Sequence, residues 1–184
     1  MSTTALLVVD MVNPYDFEDA DKVAAHAAGP VTRIAELIKR ADADDALIVY
    51  VNDNYGDWNA SRDDLVCRAL HGEHPELVEP IQPQHDYPFI WKPRHSAFYE
   101  TALGYLLNSH DIQRVVLTGQ VTEQCILYSA LDAYIRHLDV VVPPDAAVPL
   151  HPHLADAALE MVRRNMRAQT PTAHDVELYS TSTG

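Results

Sequence analysis

Long apolar runs are missing from this chain. No segment approaches the roughly 18 consecutive apolar residues of a membrane span, so no transmembrane helix is expected. Cysteine is scarce: 184 residues hold only Cys67 and Cys125. Two are too few for a disulfide framework and suit a reducing compartment. Basic residues are also short, 13 Lys and Arg against 27 Asp and Glu, for a formal net charge of −14. So acidic a chain repels phosphate backbones and anionic lipid surfaces, which argues against nucleic-acid and membrane partners. Six glycines exclude a collagen-like repeat. The apolar stretch Ala5–Val9 is short, lacks a basic flank and ends at Asp10. It does not read as a secretory leader, and a cytoplasmic location is expected.

What is present is an ordinary globular balance, 47% hydrophobic and 22% charged, enough for one domain over 1–184 with a sizeable core. Ala5–Val9 reads as a strand buried on both faces of a parallel sheet. Val31, Ile34, Ala35, Leu37, Ile38 and Ala41 fall at helical spacing, with Gly29-Pro30 predicting a break or fresh start before them. A second apolar strand covers Ala46–Val51 and runs into Asn52-Asp53-Asn54. Ser61 is placed to cap a helix whose core face is Leu65, Val66, Ala69 and Leu70. A short strand is predicted at Phe89-Ile90-Trp91, a helix around Leu103–Leu107, and a fourth strand at Val115–Thr118, closed by Gly119. A helix from about Glu123 to His137, a strand at Leu138–Val142 and a helix through Leu154–Val162 follow. A weak strand near Ala168 and a last helix at Ala173–Tyr179 end the pattern. Strands and helices alternate five or six times, which predicts an α/β three-layer sandwich around a mostly parallel, Rossmann-like sheet of five or six strands.

Parallel strands put all their carboxyl ends on one rim, where ligands bind in open sheets. The predicted strands end at Asp10, at Asn52-Asp53-Asn54, at Lys92 and at Gly119, and the next helix carries Cys125 in its first turn. Asp10, Lys92 and Cys125 are therefore expected to converge. If Thr122 caps that helix, Cys125 occupies its third position, where the helix end carries about half a positive charge. That charge stabilises a thiolate, and the Cys125 N–H could hold an oxyanion. Each residue alone has a blander reading: an inert core cysteine, a loop carboxylate capping backbone groups, a snorkelling lysine. The three together are more informative than any one.

These residues resemble the isochorismatase-like cysteine hydrolases, a family that includes nicotinamidases, N-carbamoylsarcosine amidases and ureidoacrylate amidases. Three blocks carry the resemblance, in order: Ala5-Leu-Leu-Val-Val-Asp-Met, Lys92-Pro-Arg-His-Ser-Ala-Phe and Leu117-Thr-Gly-Gln-Val-Thr-Glu-Gln-Cys. The resemblance implies an Asp10–Lys92–Cys125 triad and a cis peptide at Gln120–Val121. It implies an oxyanion hole from the N–H groups of Val121 and Cys125, and a dimeric or tetrameric homo-oligomer. The implied activity is hydrolysis of a small non-peptide amide or carbamoyl C–N bond through a thioester.

The chain departs from named members at two places. Nicotinamidases carry a metal-binding Asp-x-His after the second strand; here Asp53 is followed by Asn54 and then Tyr55. No metal and no other cofactor is therefore expected, and His71, His74, His85 and His95 follow no zinc spacing. Asn13-Pro14-Tyr15-Asp16-Phe17 also differs from the commoner pattern, in which an acid follows the asparagine directly. Phe17, Asn54, Trp58, Phe98 and Tyr128 are the candidates for the wall of a small-molecule pocket, and Cys67 is read as structural. Three other readings stay open: an isochorismate-type ether hydrolase, disfavoured because Cys125 is retained; a non-catalytic binding domain that keeps the fold; and a redox-sensing thiol protein, which lacks a nearby resolving cysteine.

Overall fold

A computed structural model describes residues 2–179. The Ala5–Val9 run forms the central strand β1 (Thr4–Val9), fully buried along its length. On one side of it lie β2 (Leu47–Asp53) and β3 (Phe89–Lys92), and on the other β4 (Arg114–Gln120) and β5 (Asp139–Val141). The order is β3-β2-β1-β4-β5, every pairing is parallel, and a two-residue strand β6 (Ala147–Val148) joins β4 beyond the end of β5. The α/β sandwich with a parallel sheet is thus the observed architecture.

Alternation along the strands sorts the core into two layers. Leu6 and Val8 face the helix α1 (Ala20–Ala43) and the shorter α2 (Arg62–Leu70). Ala5, Leu7 and Val9 face α3 (Leu103–Ser109), α4 (Leu127–Ile135) and α5 (Pro152–Asn165). Ser61 caps α2 by accepting the Asp64 N–H at 3.1 Å. Only Leu65 and Ala69 of its predicted face are fully buried.

The expected break at Gly29-Pro30 does not occur, and α1 runs through Pro30 for 24 residues. A proline inside a helix costs about 3 kcal/mol. Val23, Ala27, Val31, Ile34, Leu37, Ile38 and Ala41 make one buried stripe across it, and each large apolar side chain contributes about 1.5–3 kcal/mol when buried. Packing on both sides of the proline outweighs its cost. The last predicted helix is likewise corrected: only Ala173–Asp175 forms a 3-10 turn, followed by extended chain. Arg40 holds that stretch by donating to the carbonyls of Ala173 and Val176. The weak strand near Ala168 is a single bridge between Val141 and Gln169.

One glycine decides how closely β1 and β4 approach at the rim. Gly119 pairs with Val9 and has φ +114°. A β-carbon there would sit 2.1 Å from the Val9 carbonyl oxygen, so no other residue fits. The strand order reverses between β1 and β4. The chain goes to β2 and β3 after β1, and to β5 after β4, which opens a crevice between their carboxyl ends.

Candidate active site

Asp10 follows β1 directly and has φ +54°, a left-handed conformation that few non-glycine residues adopt. It is held there from three sides. Its N–H donates to the Val51 carbonyl at 2.9 Å, its own carbonyl accepts the Asn13 side-chain amide at 3.0 Å, and its Oδ1 accepts the Asp53 N–H at 2.8 Å. These bonds tie the end of β1 to the end of β2. Asn52 adds a paired clamp on Val12, donating to its carbonyl at 2.8 Å and accepting its N–H at 3.3 Å.

Lys92 closes β3, opposite Asp53 of β2. Its side chain is 1% exposed, and a buried ammonium must be paired. The Nζ lies 2.8 Å from Asp10 Oδ2 and 3.9 Å from Asp53 Oδ2. It also donates to the Arg94 carbonyl at 3.1 Å and lies 3.7 Å from Cys125 Sγ. The three side chains separated in sequence therefore meet around one ammonium group.

The segment carrying Cys125 differs from the expected α-helical first turn. Thr122–Ile126 is a single π-type turn preceding α4, in which the Ile126 N–H reaches the Val121 carbonyl at 3.3 Å. Val121, not Thr122, stands at the cap position, and no side chain caps the turn. The Val121 carbonyl also accepts the Gln124 N–H at 3.1 Å. The Gln120–Val121 peptide is cis, as the resemblance implies.

The electrostatics of the cluster follow from burial. Burial raises the Asp10 carboxyl above its ordinary range, and Lys92 offsets only part of that effect. For Lys92 burial alone would lower the ammonium, but the charges of Asp10, Cys125 and Asp53 outweigh it and the net shift is upward. The Cys125 thiol is not depressed, as its helix position had suggested. Burial, reinforced by the Asp10 charge, pushes it well above the ordinary thiol range, and Lys92 reverses only part of this.

A hollow of about 190 Å³ opens beside these groups, lined by Asp10, Phe17, Tyr55, Gln120, Val121 and Cys125, with Asp53, Lys92 and Gln124. Phe17, 38% exposed, is the one predicted wall aromatic that reaches it. Trp58 and Asn54 line an adjoining hollow with Arg94 and Tyr99, and Asn54 is occupied in accepting the Gly56 N–H. Tyr128 packs on the His95 ring at 5.6 Å between centroids, one residue removed from the sulfur. Phe98 lies elsewhere: it is 4% exposed, packs with the α3 and α4 core, and carries Arg136 over its ring at 4.9 Å. The Ser96 hydroxyl, bonded to Asp132 and to the Phe98 N–H, turns the chain inward and away from the rim.

Tyr55 was not expected in the site. The residue is 44% exposed and lines the hollow. The phenol end faces the hollow, where burial first and then the charges of Asp10 and Asp53 raise its pKa. The signal was its place at the histidine position of an Asp-x-His pair. That position does not fit a metal here. Tyr55 replaces the imidazole, while Asp53 accepts the Tyr55 N–H at 2.7 Å and faces Lys92. Among the described residues, no group of three His, Cys, Asp or Glu side chains could hold an ion.

Residues 4–174 match the Isochorismatase domain. The chain belongs to the isochorismatase family. Its family relatives include the uncharacterized protein YaaI of Bacillus subtilis, 31% identical over 94% of this chain and 95% of that one. A probable inactive nicotinamidase of Arabidopsis thaliana is 27% identical over 94% of this chain and 93% of its own length. Among solved structures of the family, N-carbamoylsarcosine amidase from Thermoplasma acidophilum superposes with a TM-score of 0.75 at 26% identity, covering 96% of this chain and 99% of that one. No helix among the described residues is long and apolar enough to cross a membrane.

Proposed function

We propose that this isochorismatase-family chain is a cysteine hydrolase that cleaves a small non-peptide amide or carbamoyl C–N bond. One observation carries the reading: a buried ammonium sits 2.8 Å from a carboxylate and 3.7 Å from a thiol, at the mouth of a hollow sized for a small acyl group. Membership of the fold alone does not secure turnover, and the relative named as probably inactive makes the same point. The function therefore rests on this cluster.

Asp10 takes the Cys125 proton as the sulfur attacks the substrate carbonyl, so a thiol kept neutral by burial becomes a thiolate only when a substrate is present. Lys92 keeps the cluster near neutral as charge moves from carboxylate to sulfur and on to the tetrahedral oxygen. The Val121 carbonyl takes the N–H groups of Gln124 and Ile126, and the Cys125 N–H between them serves the oxyanion together with that of Val121. Asp10 returns its proton to the departing nitrogen, the C–N bond breaks, and a thioester remains for water to hydrolyse.

The test is a panel of primary carboxamides, N-carbamoyl amino acids and ureas, scored for ammonia or amine release and for an acyl adduct on Cys125 by mass spectrometry. Release that depends on Cys125 is the expected result. Release that survives its loss, or hydrolysis of vinyl ethers but of no C–N substrate, overturns the reading. A homo-oligomer belongs to the same proposal. The packed helices α4 and α5 leave Leu131, Ile135, Leu154 and Met161 exposed, a face suited to a second copy. Sedimentation equilibrium should give a dimer or tetramer; a monomer throughout the micromolar range would remove this part.

A further inference from the structure

His95 is the one imidazole in contact with the sulfur among the described residues. Its Nδ1 lies 3.9 Å from Cys125 Sγ, and nothing in the acylation step above uses it. The backbone on both sides of it is fixed. The preceding carbonyl, of Arg94, accepts from Lys92 Nζ at 3.1 Å, and beyond Ser96 the Ala97 N–H donates to the Ser129 hydroxyl at 2.9 Å. Its ring rests against Tyr128 of α4. The imidazole is thus aimed at the sulfur by β3 and α4 together, yet the residue is exposed, whereas Asp10 is buried and paired with Lys92. Asp10 lines the hollow beside the sulfur, and His95 reaches the sulfur from an exposed segment.

Resting on the cysteine-hydrolase reading, we propose that His95 is a catalytic residue of the second half-reaction, the base that activates water against the thioester. The proton balance closes on the groups present. Water attacks the acyl carbon and its proton passes to Nδ1 of the neutral imidazole, whose other nitrogen keeps the ring proton. The tetrahedral adduct collapses, the C–S bond breaks with its electron pair on sulfur, and Nδ1 hands the proton to Sγ. The products are the free acid and the resting thiol, ready for Asp10 in the next cycle. The groups facing the imidazole are Cys125 from the π-type turn and Tyr128 from α4, and Lys92 of β3, paired with Asp10, also contacts the sulfur.

p-Nitrophenyl acetate serves as the acylating probe, so the natural substrate need not be known. The wild type should release a burst of p-nitrophenolate equal to the enzyme and then turn over slowly, its steady rate set by deacylation. His95→Gln should keep the burst, slow the steady rate by about 10²-fold or more and accumulate acetyl-Cys125 in the mass spectrum. Added imidazole should restore turnover to His95→Ala, a rescue that a merely structural role would not give. An unchanged steady rate in His95→Gln, or loss of the burst with it, overturns the role given to His95. Absence of any burst in the wild type instead overturns the cysteine-hydrolase reading itself, so the two failures are distinguishable.

Discussion

Replacing Cys125 with alanine is expected to lower hydrolysis by about 10⁴-fold or more, because without the nucleophile only binding and oxyanion stabilisation remain. The fold should survive, since the change removes one small buried atom at the rim of the core, at a cost of about 1–2 kcal/mol. Cys67 supplies the internal control: it is exposed on α2 and lies away from the cluster. Iodoacetamide should therefore label Cys67 readily and Cys125 slowly, because burial keeps the Cys125 thiol protonated. Cys67→Ser should retain full activity. Equal activity in wild type and Cys125→Ala, with identical urea midpoints, would end the case for nucleophilic catalysis.

Removing the Lys92 charge acts on stability as strongly as on rate. Lys92→Met leaves the carboxylate of Asp10 buried without its partner, and breaking a buried pair from one side costs about 3–5 kcal/mol. Exchanging both residues, Asp10→Leu with Lys92→Met, should recover much of that loss, because the uncompensated charge goes as well. The pH dependence has a definite sign. The Lys92 pKa is raised in the fold, so its contribution is fully present below its ordinary value of 10.5 and is lost as the pH climbs through the folded value. Asp10 acts in the same direction at lower pH: its pKa is raised too, so the fold binds its proton more readily than the unfolded chain does. Its share of stability declines as the pH rises from 3.8 through the folded value. Urea titrations of wild type and Lys92→Met across this range read both limbs. A double variant no more stable than Lys92→Met would show that the two charges are not coupled.

The parts of the site that stand at strand ends were legible from local pattern. An apolar run closed by Asp10, and a short aromatic strand closed by Lys92, place both groups on the rim whatever the loops do. The misreadings have a common physical origin in longer-range packing. Gly29-Pro30 carries a local stop signal, but the buried stripe of α1 continues across it. Phe98 follows Lys92 closely in sequence, yet the Ser96 bonds turn it into the core between α3 and α4. The π-type turn at Thr122–Ile126 inserts an extra residue ahead of α4, at the segment that carries Cys125, which helical periodicity cannot reveal. The direction of the Cys125 shift depends on how deeply the thiol is buried beside Asp10, and depth is a tertiary quantity. Tyr55 stood in plain view as a departure from a metal-binding pair, but its inward hydroxyl required coordinates.

The Asp10 carboxylate also grips the amide of Asp53, so the cluster around Lys92 is riveted to the central strands of the sheet. Phe17, Tyr55 and Trp58 hang from the connecting segments outside it. Such a division lets the outer segments be exchanged to suit a new compound while the cluster of Asp10, Lys92 and Cys125 stays as it is. Grafted loops around an untouched rim are accordingly the natural route to retargeting this enzyme.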